Sequence, residues 1–489
     1  MVENTLDFSK IRIDPAWALQ VPATLAMRRL ALPLCVVDGE LVVAMVDVDD
    51  IVTRNAIEKA TGKPVHALAA DPEDLRRELL RVYGDGRGDN TGGSRAITAA
   101  ASADDAVAAV EGILRAGLLR EASDIHIDPM RERIRIRFRV DGHLEDFLEL
   151  PIAIQPALDS RLKVMAGLDI AERRAPQDGA FVWRMSGASD RPPCDVRVAT
   201  LPVRFGERIT LRLLESGRER LALDDLGMSP DHLARFRSLL ARPHGMLLLT
   251  GPTGSGKTTT LHAAVQTLLA NGTPNILSVE DPIEYEIPEI AQAEIDSGDK
   301  VSFSKALRSL LRHDPDVIMI GEIRDFESLD IAVKAALTGH LVLSTLHTND
   351  AVSTVARLAD MGLERHLIAA TLRLSVAQRL VRGLCPHCRK PVAITAAEAA
   401  LLQRPELEGR TAYRPAGCLA CAGHGGIGRS GLFEFLMPDE TIASMIASGV
   451  PEVELAATMR RAGEPTLLDD GIRKTLAGET SIDEILKVV

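Results

Sequence analysis

The spacing of apolar residues changes several times along this chain, and each change marks a different element. Residues 246–250, Met-Leu-Leu-Leu-Thr, are a continuous apolar run of the kind carried by a buried strand. Glycines follow, and then residues 259–269, whose spacing predicts an amphipathic helix. Three later apolar runs end in polar residues: 275–284 closes around Glu280 and Asp281, 316–325 around Glu322, and 339–349 around His347. In a parallel sheet such strand ends gather at the carboxyl edge, where ligands bind. Upstream the pattern is different. Ile125, Ile127, Ile134, Ile136, Phe138 and Val140 alternate with polar residues up to Asp141-Gly142, which predicts half-buried strands. Residues 194–201 and 206–214 form a second block, with Arg197 and Arg212 on the side opposite Val196, Val198, Ile209, Leu211 and Leu213.

The remaining segments complete an α/β multidomain chain. In the first 84 residues, Trp17, Leu19 and Val21 precede a short helix at Leu25–Leu30, and residues 34–45 read as a hairpin turning on Asp38-Gly39. Nothing there has the residue types that chemistry needs, so a docking role is expected. Residues 85–97 have the composition of a flexible linker. An alanine-rich helix starts near 98, and the domain it opens ends at 218. A hinge is expected at 216–224, the last domain spans 223–489, and its tail from 437 is helical by pattern.

Composition narrows the function. A chain of 489 residues exceeds one core. The formal net charge of −12, the lack of Lys/Arg tracts and only 10 Phe, 3 Tyr and 2 Trp argue against nucleic acid as a partner. No apolar run approaches the roughly 18 residues of a membrane span, and the acidic N-terminus lacks a signal-peptide pattern. A cytoplasmic protein is expected, touching membrane only through partners.

The glycines after residue 250 carry the strongest chemical signal. Gly251, Pro252, Thr253, Gly254, Ser255, Gly256, Lys257 and Thr258 match G-x-x-x-x-G-K-[ST] between a strand and a helix. Such a loop points backbone N–H groups at phosphates, Lys257 reaches the β/γ-phosphates of ATP, and the Thr258 hydroxyl holds Mg²⁺. Gly321 stands where an aspartate would complete a Walker B strand, which leaves Glu322 as the surviving acid. Of six cysteines, Cys35 and Cys194 read as buried small hydrophobes. Cys385-x-x-Cys388 and Cys418-x-x-Cys421 form two knuckles 29 residues apart, the pattern of a structural, closed Zn²⁺ site. His387 and His424 are surplus to that set. Asp124, His126 and Asp128 share one strand face and read better as a polar sheet face than as metal ligands. The strand arginines are either a solvated face or cations aimed at a triphosphate.

Four blocks together resemble one family, the secretion ATPases of bacterial type II secretion and type IV pilus assembly: GPTGSGKTTTL at 251–261, SVEDPIEY at 278–285, DPDVIMIGEIRD at 314–325 and STLHTNDA at 344–351. ASDIHID at 122–128, RIRFRVDG at 135–142, DVRVATLP at 195–202 and GERITLRLLE at 206–215 look like that family's second N-terminal domain. The resemblance implies a RecA-like ATPase domain with a tetracysteine zinc-binding insertion at 383–430. A PAS-like α/β domain and a small N-terminal α/β docking domain would precede it. It implies that Glu280 activates water and Glu322 serves the Mg²⁺ side, with a swap left open by Gly321, that His347 senses γ-phosphate loss, and that Arg197 and Arg212 are arginine fingers. It further implies a homo-hexamer at the inner membrane, working with a bitopic partner and a polytopic platform protein. The cysteines favour export and pilus-extension members over retraction and conjugation motors. The absence of repeated Leu-Gly pairs in residues 1–84 favours type II secretion. A type IV pilus extension motor is the alternative, and a DNA-translocating hexamer lies further off.

Overall fold

The computed structural model describes residues 6–84, 103–185, 192–215, 221–295 and 302–489. The expected linker at 85–97 lies outside them, as do residues 216–220 of the expected hinge. The chain divides into two compact units: residues 1–218 with 384–390 and 414–428, and residues 219–383 with 391–413 and 429–489.

In the first unit, β1 (Ala31–Val37) and β2 (Glu40–Met45) form an antiparallel hairpin, and β3 (Val65–Ala69) lies parallel to β2. The hairpin turns on Asp38 at φ +50° and Gly39 at φ +89°, the left-handed pair that matches strand twist in a two-residue turn. A second sheet has six antiparallel strands: β4 (Asp124–Pro129), β5 (Arg133–Val140), β6 (His143–Pro151), β7 (Gln177–Trp183), β8 (Cys194–Val203) and β9 (Gly206–Glu215). Their order is β6-β5-β4-β9-β8-β7, so two strands more than 80 residues apart in sequence, β4 and β9, pair at the centre. The alternation read from sequence is realised: Ile125, Ile127, Ile134, Ile136, Phe138, Val196, Val198, Ile209 and Leu211 are all buried on one face. The helices Ala103–Leu119 and Gln155–Met165 belong to the same apolar cluster.

In the second unit the sheet has seven strands. They are β10 (Gly245–Thr250), β11 (Ile276–Glu280), β12 (Ala291–Glu294), β13 (Val317–Ile320), β14 (Leu341–Leu346) and β15 (Leu372–Leu384), then, after the small pair β16 (Lys390–Ala393) and β17 (Thr411–Arg414), β18 (Gly426–Leu436). The order is β12-β11-β13-β14-β10-β15-β18. β10 runs parallel to both β14 and β15, and β13 parallel to both β11 and β14. Every residue of β10, β13 and β14 is buried, as expected of a parallel sheet covered on both faces. Helices Glu440–Ser448, Glu452–Arg461, Leu467–Ala477 and Ile482–Ile485 make up the tail.

One buried ion pair anchors the helix Gln155–Met165 to β9. Lys163 is 1% exposed, its Nζ lies 2.7 Å from Glu207 Oε1, and it donates a 2.6 Å hydrogen bond to the Glu172 carbonyl. Lys163→Met would strand Glu207 as an uncompensated buried charge, at a cost of about 3–5 kcal/mol. Thermal unfolding should show an earlier first transition for this variant, largely restored in Lys163→Met/Glu207→Gln; equal midpoints for wild type and the single variant would refute the anchoring role.

Candidate active site and metal centre

The glycine-rich loop leaves β10 at Thr250 and enters the helix Lys257–Ala270. Three of its glycines, Gly251, Gly254 and Gly256, have φ of +147°, +81° and +86°, conformations that L side chains rarely adopt. Two of them also lie against a floor supplied by β15. A Cβ on Gly251 would come within 2.5 Å of the Gln378 carbonyl oxygen, and one on Gly256 within 2.8 Å of Gln378 Nε2. The same Gln378 accepts a 2.8 Å hydrogen bond from Thr260 Oγ1, so it clamps loop and helix together. Its neighbour Arg379 donates to the Asn349 carbonyl at 2.7 Å, and its Nη1 would lie 3.0 Å from that Cβ on Gly251.

Lys257 is 8% exposed and donates to the Gly251 and Pro252 carbonyls at 2.7 and 3.1 Å. Burial pushes its pKa down to about 8, Glu322 pulls it back up, and Arg379 lowers it further. Ser255 Oγ is buried with no partner among the described residues. A lysine short of countercharge, an orphaned hydroxyl and a glycine cradle at a helix N-terminus fit the phosphates of a nucleotide.

Three polar strand ends stand at the same edge. Glu280, the last residue of β11, is 3% exposed. Its Oε1 accepts from Ser278 Oγ at 2.7 Å and Gln292 Nε2 at 2.9 Å, and its Oε2 lies 3.7 Å from His262 Nε2 on the loop's own helix. Burial works against its charge, but His262, Gln292 and Ser278 together hold its pKa below the ordinary value. Glu322 follows β13; its Oε2 meets His347 Nε2 at 3.0 Å and its Oε1 accepts from Arg324, which also lies 3.3 Å from Asp281. Burial again opposes ionisation, and His347 and Arg324 outweigh it. The three boxes read separately from sequence thus share one hydrogen-bonded cluster. Gly321 lies directly against this carboxylate: a Cβ there would be in ordinary contact with Glu280 Cα and the Val279 carbonyl oxygen at 3.4 Å, with Glu280 Cγ at 3.7 Å.

The arginines of β8 and β9 belong to the other unit. Asp124, His126 and Asp128 form a paired polar sheet face: Asp128 meets Arg137 at 2.6 Å and Arg208 at 2.9 Å, and Asp124 accepts from Arg212 at 3.0 Å. Arg197 and Arg212 are direct cross-strand partners on β8 and β9. Like charges directly opposite each other repel, and Asp124 offsets the charge of Arg212.

Among the described residues, one group of His, Cys, Asp and Glu has metal-holding geometry: Cys385, Cys388, Cys418 and Cys421, with all four Sγ atoms within 4.8 Å. Three Sγ–Sγ distances are 3.8 Å. That is about the edge of a tetrahedron with Zn–S bonds of roughly 2.3 Å, and too long for a disulfide. Backbone N–H groups of Gly417, Cys418 and Gly425 donate to the sulfurs at 3.3, 3.3 and 3.1 Å, as a thiolate site requires. The set fits Zn²⁺. Cys35 and Cys194 are buried, and burial, with Asp14 and Cys421 nearby, pushes the Cys35 thiol up to about 12.

Residues 251–258, Glu280, Glu322 and His347 are therefore brought to one sheet edge. Sequence reasoning singled out no arginine downstream of the loop, yet Arg324 and Arg379 stand in this cluster. Arg324 sits inside a quoted motif and could have been found there. The burial of Lys257 predicts a proton linkage. Lys257 loses its proton around pH 8, and bound phosphates favour its charged form, so nucleotide binding at pH 9 should take up a proton that binding at pH 7 does not. Calorimetric titration in buffers of different ionisation enthalpy measures this; equal uptake at both pH values would overturn the assignment.

Comparison with known proteins agrees with this geometry. Residues 100–487 match the family model "Type II/IV secretion system protein" and residues 4–89 match "MshEN domain". The type II secretion system protein HxcR of Pseudomonas aeruginosa is 47% identical over 379 residues, 78% of this chain and 76% of the relative. The type IV pilus assembly ATPase PilB of Myxococcus xanthus is 39% identical over 504 residues, 99% of this chain and 88% of the relative. The crystal structure of the pilus retraction motor PilT with bound ADP superposes with a TM-score of 0.52 at 25% identity, covering 78% of this chain and 96% of that one. The chain belongs to the type II/IV secretion system protein family and is a secretion ATPase of α/β fold.

Proposed function

We propose that this ATPase is a homo-hexameric, cytoplasmic motor at the inner membrane that drives pseudopilus assembly and protein export in type II secretion. The observation that carries the reading is the cluster at one sheet edge, where a phosphate loop, two ionised carboxylates and a histidine meet. Among the described residues no helix is long and apolar enough to cross a membrane; in this reading the motor is attached through a bitopic partner and a polytopic platform protein. Residues 1–84 are the docking domain for that partner.

In this mechanism Lys257 and the loop amides hold the β/γ-phosphates, and the Thr258 hydroxyl and Glu322 hold Mg²⁺, which neutralises phosphate charge when bound. Glu322 suits the metal side because its charge already acts on Lys257. Glu280 orients the attacking water and takes its proton on Oε2, since Oε1 is occupied by Ser278 and Gln292. His347, bonded to Glu322, reports loss of the γ-phosphate to β14. Arg197 and Arg212 offset charge on the transferred group, from this chain or from a neighbouring copy. The four cysteines hold Zn²⁺ as a structural ion.

A second reading, type IV pilus assembly, is favoured by one observation: the PilB alignment runs through the N-terminal region, over 99% of this chain, whereas the HxcR alignment covers 78%. Deleting the gene in its own host separates the two, since loss of exported enzymes supports secretion and loss of surface pili supports the alternative.

Steady-state phosphate release tests the site. Lys257→Ala should abolish it, and Glu280→Gln should lower turnover about 10²–10⁴-fold with Mg²⁺ dependence unchanged. Arg197→Ala should lose turnover while still binding nucleotide; normal hydrolysis by this variant would sink the finger assignment.

A further inference from the structure

The cysteine cluster is more than an appendage of the strands that lead into it. Its two segments, 384–390 and 414–428, group with the N-terminal unit. The contacts are specific. The Arg12 amide donates to the Leu419 carbonyl at 3.0 Å, and Leu419 lies inside the second C-x-x-C, between two ligand cysteines. The Leu419 side chain packs against the N-terminal apolar cluster. Gly423, at φ +80°, passes so close to β1 that a Cβ would sit 2.4 Å from the Val36 carbonyl oxygen. His424 Nε2 lies 3.4 Å from Asp14 Oδ2. All of these groups fall within residues 418–424, a stretch whose shape the second knuckle sets.

We propose that the tetracysteine knuckle is the seat on which the N-terminal domain rests, and that metal occupancy decides whether the domain is held there. The inference rests on the zinc reading above. A loop-rich knuckle has little core of its own, and structural Zn²⁺ contributes roughly 10–16 kcal/mol to such a fold. Main-chain contacts such as Arg12 to Leu419 and Gly423 to Val36 demand one backbone shape, so they are lost when the metal leaves. The seam is also imperfectly packed. A cavity of about 620 Å³ remains, bounded by Lys10, Ile11, Val37 and His66 on one side and His387 and Ala420 on the other. The seat therefore works as a metal-dependent latch.

Hydrogen exchange on the full-length protein, read with zinc content by elemental mass spectrometry, tests this. Stripping the metal with a chelator should raise exchange of peptides covering residues 8–18 and 31–40 by about tenfold or more. The segment 246–280 should be unchanged, and added Zn²⁺ should reverse the effect. Leu419→Asp should produce the same rise while one zinc per chain is retained; if it loses zinc, Gly423→Ala takes its place, with the same expectation. Purified protein without zinc would overturn the zinc reading and this inference together. Zinc present, with residues 8–18 and 31–40 exchanging equally before and after stripping, would overturn the latch alone.

Discussion

A lysine must stay charged in a place that burial makes hostile to charge, and the nucleotide site is organised around that conflict. Lys257 sits at the start of a helix, where the backbone already presents positive partial charge. It is relieved by two loop carbonyls, Gly251 and Pro252, and by the field of Glu322. The carbonyls are available because Gly251 adopts a conformation in which Gln378 can lie directly beneath it. β15 is thus as much a part of the phosphate loop as the glycines are. A site built in this way has a built-in appetite for anions, since a phosphate supplies the countercharge that the protein withholds.

Much of this was legible in sequence, because the relevant chemistry is local. The loop, the acids at the ends of β11 and β13 and the histidine after β14 each announce themselves within a dozen residues, and the cysteines do so as two four-residue knuckles. What sequence did not disclose depends on which strands become neighbours. Gln378 and Arg379 lie in a run that reads as an ordinary strand, and their role exists only because β15 pairs with β10. Gln292 reaches Glu280 because β12 pairs with β11. Likewise the alternation in β4 and β9 is plain, but the Asp124–Arg212 bond joins residues 88 positions apart. The grouping of the cysteine segments with residues 1–218 has no sequence signal, since part of it runs through backbone carbonyls and a glycine, and neither Leu419 nor His424 sits in a pattern that names its partner.

The two sheets use polar residues in different ways. In the antiparallel sheet one face is given over to charge, and acids neutralise most of the arginines they meet, so the face is a lattice of pairs. Strand register also sets two cations, Arg197 and Arg212, side by side, and Arg212 shares in the pairing through Asp124. In the parallel sheet Glu280 and Glu322 stand at strand ends, where each is wrapped by donors. The first arrangement spreads charge over a surface, and the second concentrates it at an edge.

Gly321 shows how that edge is shared out. A side chain at this position would lie in ordinary contact with Glu280, so an aspartate there would bring a second carboxylate against one that is already buried. Like charges that close oppose each other's ionisation. The glycine therefore leaves the charge of Glu280 to be set by Ser278, Gln292 and His262.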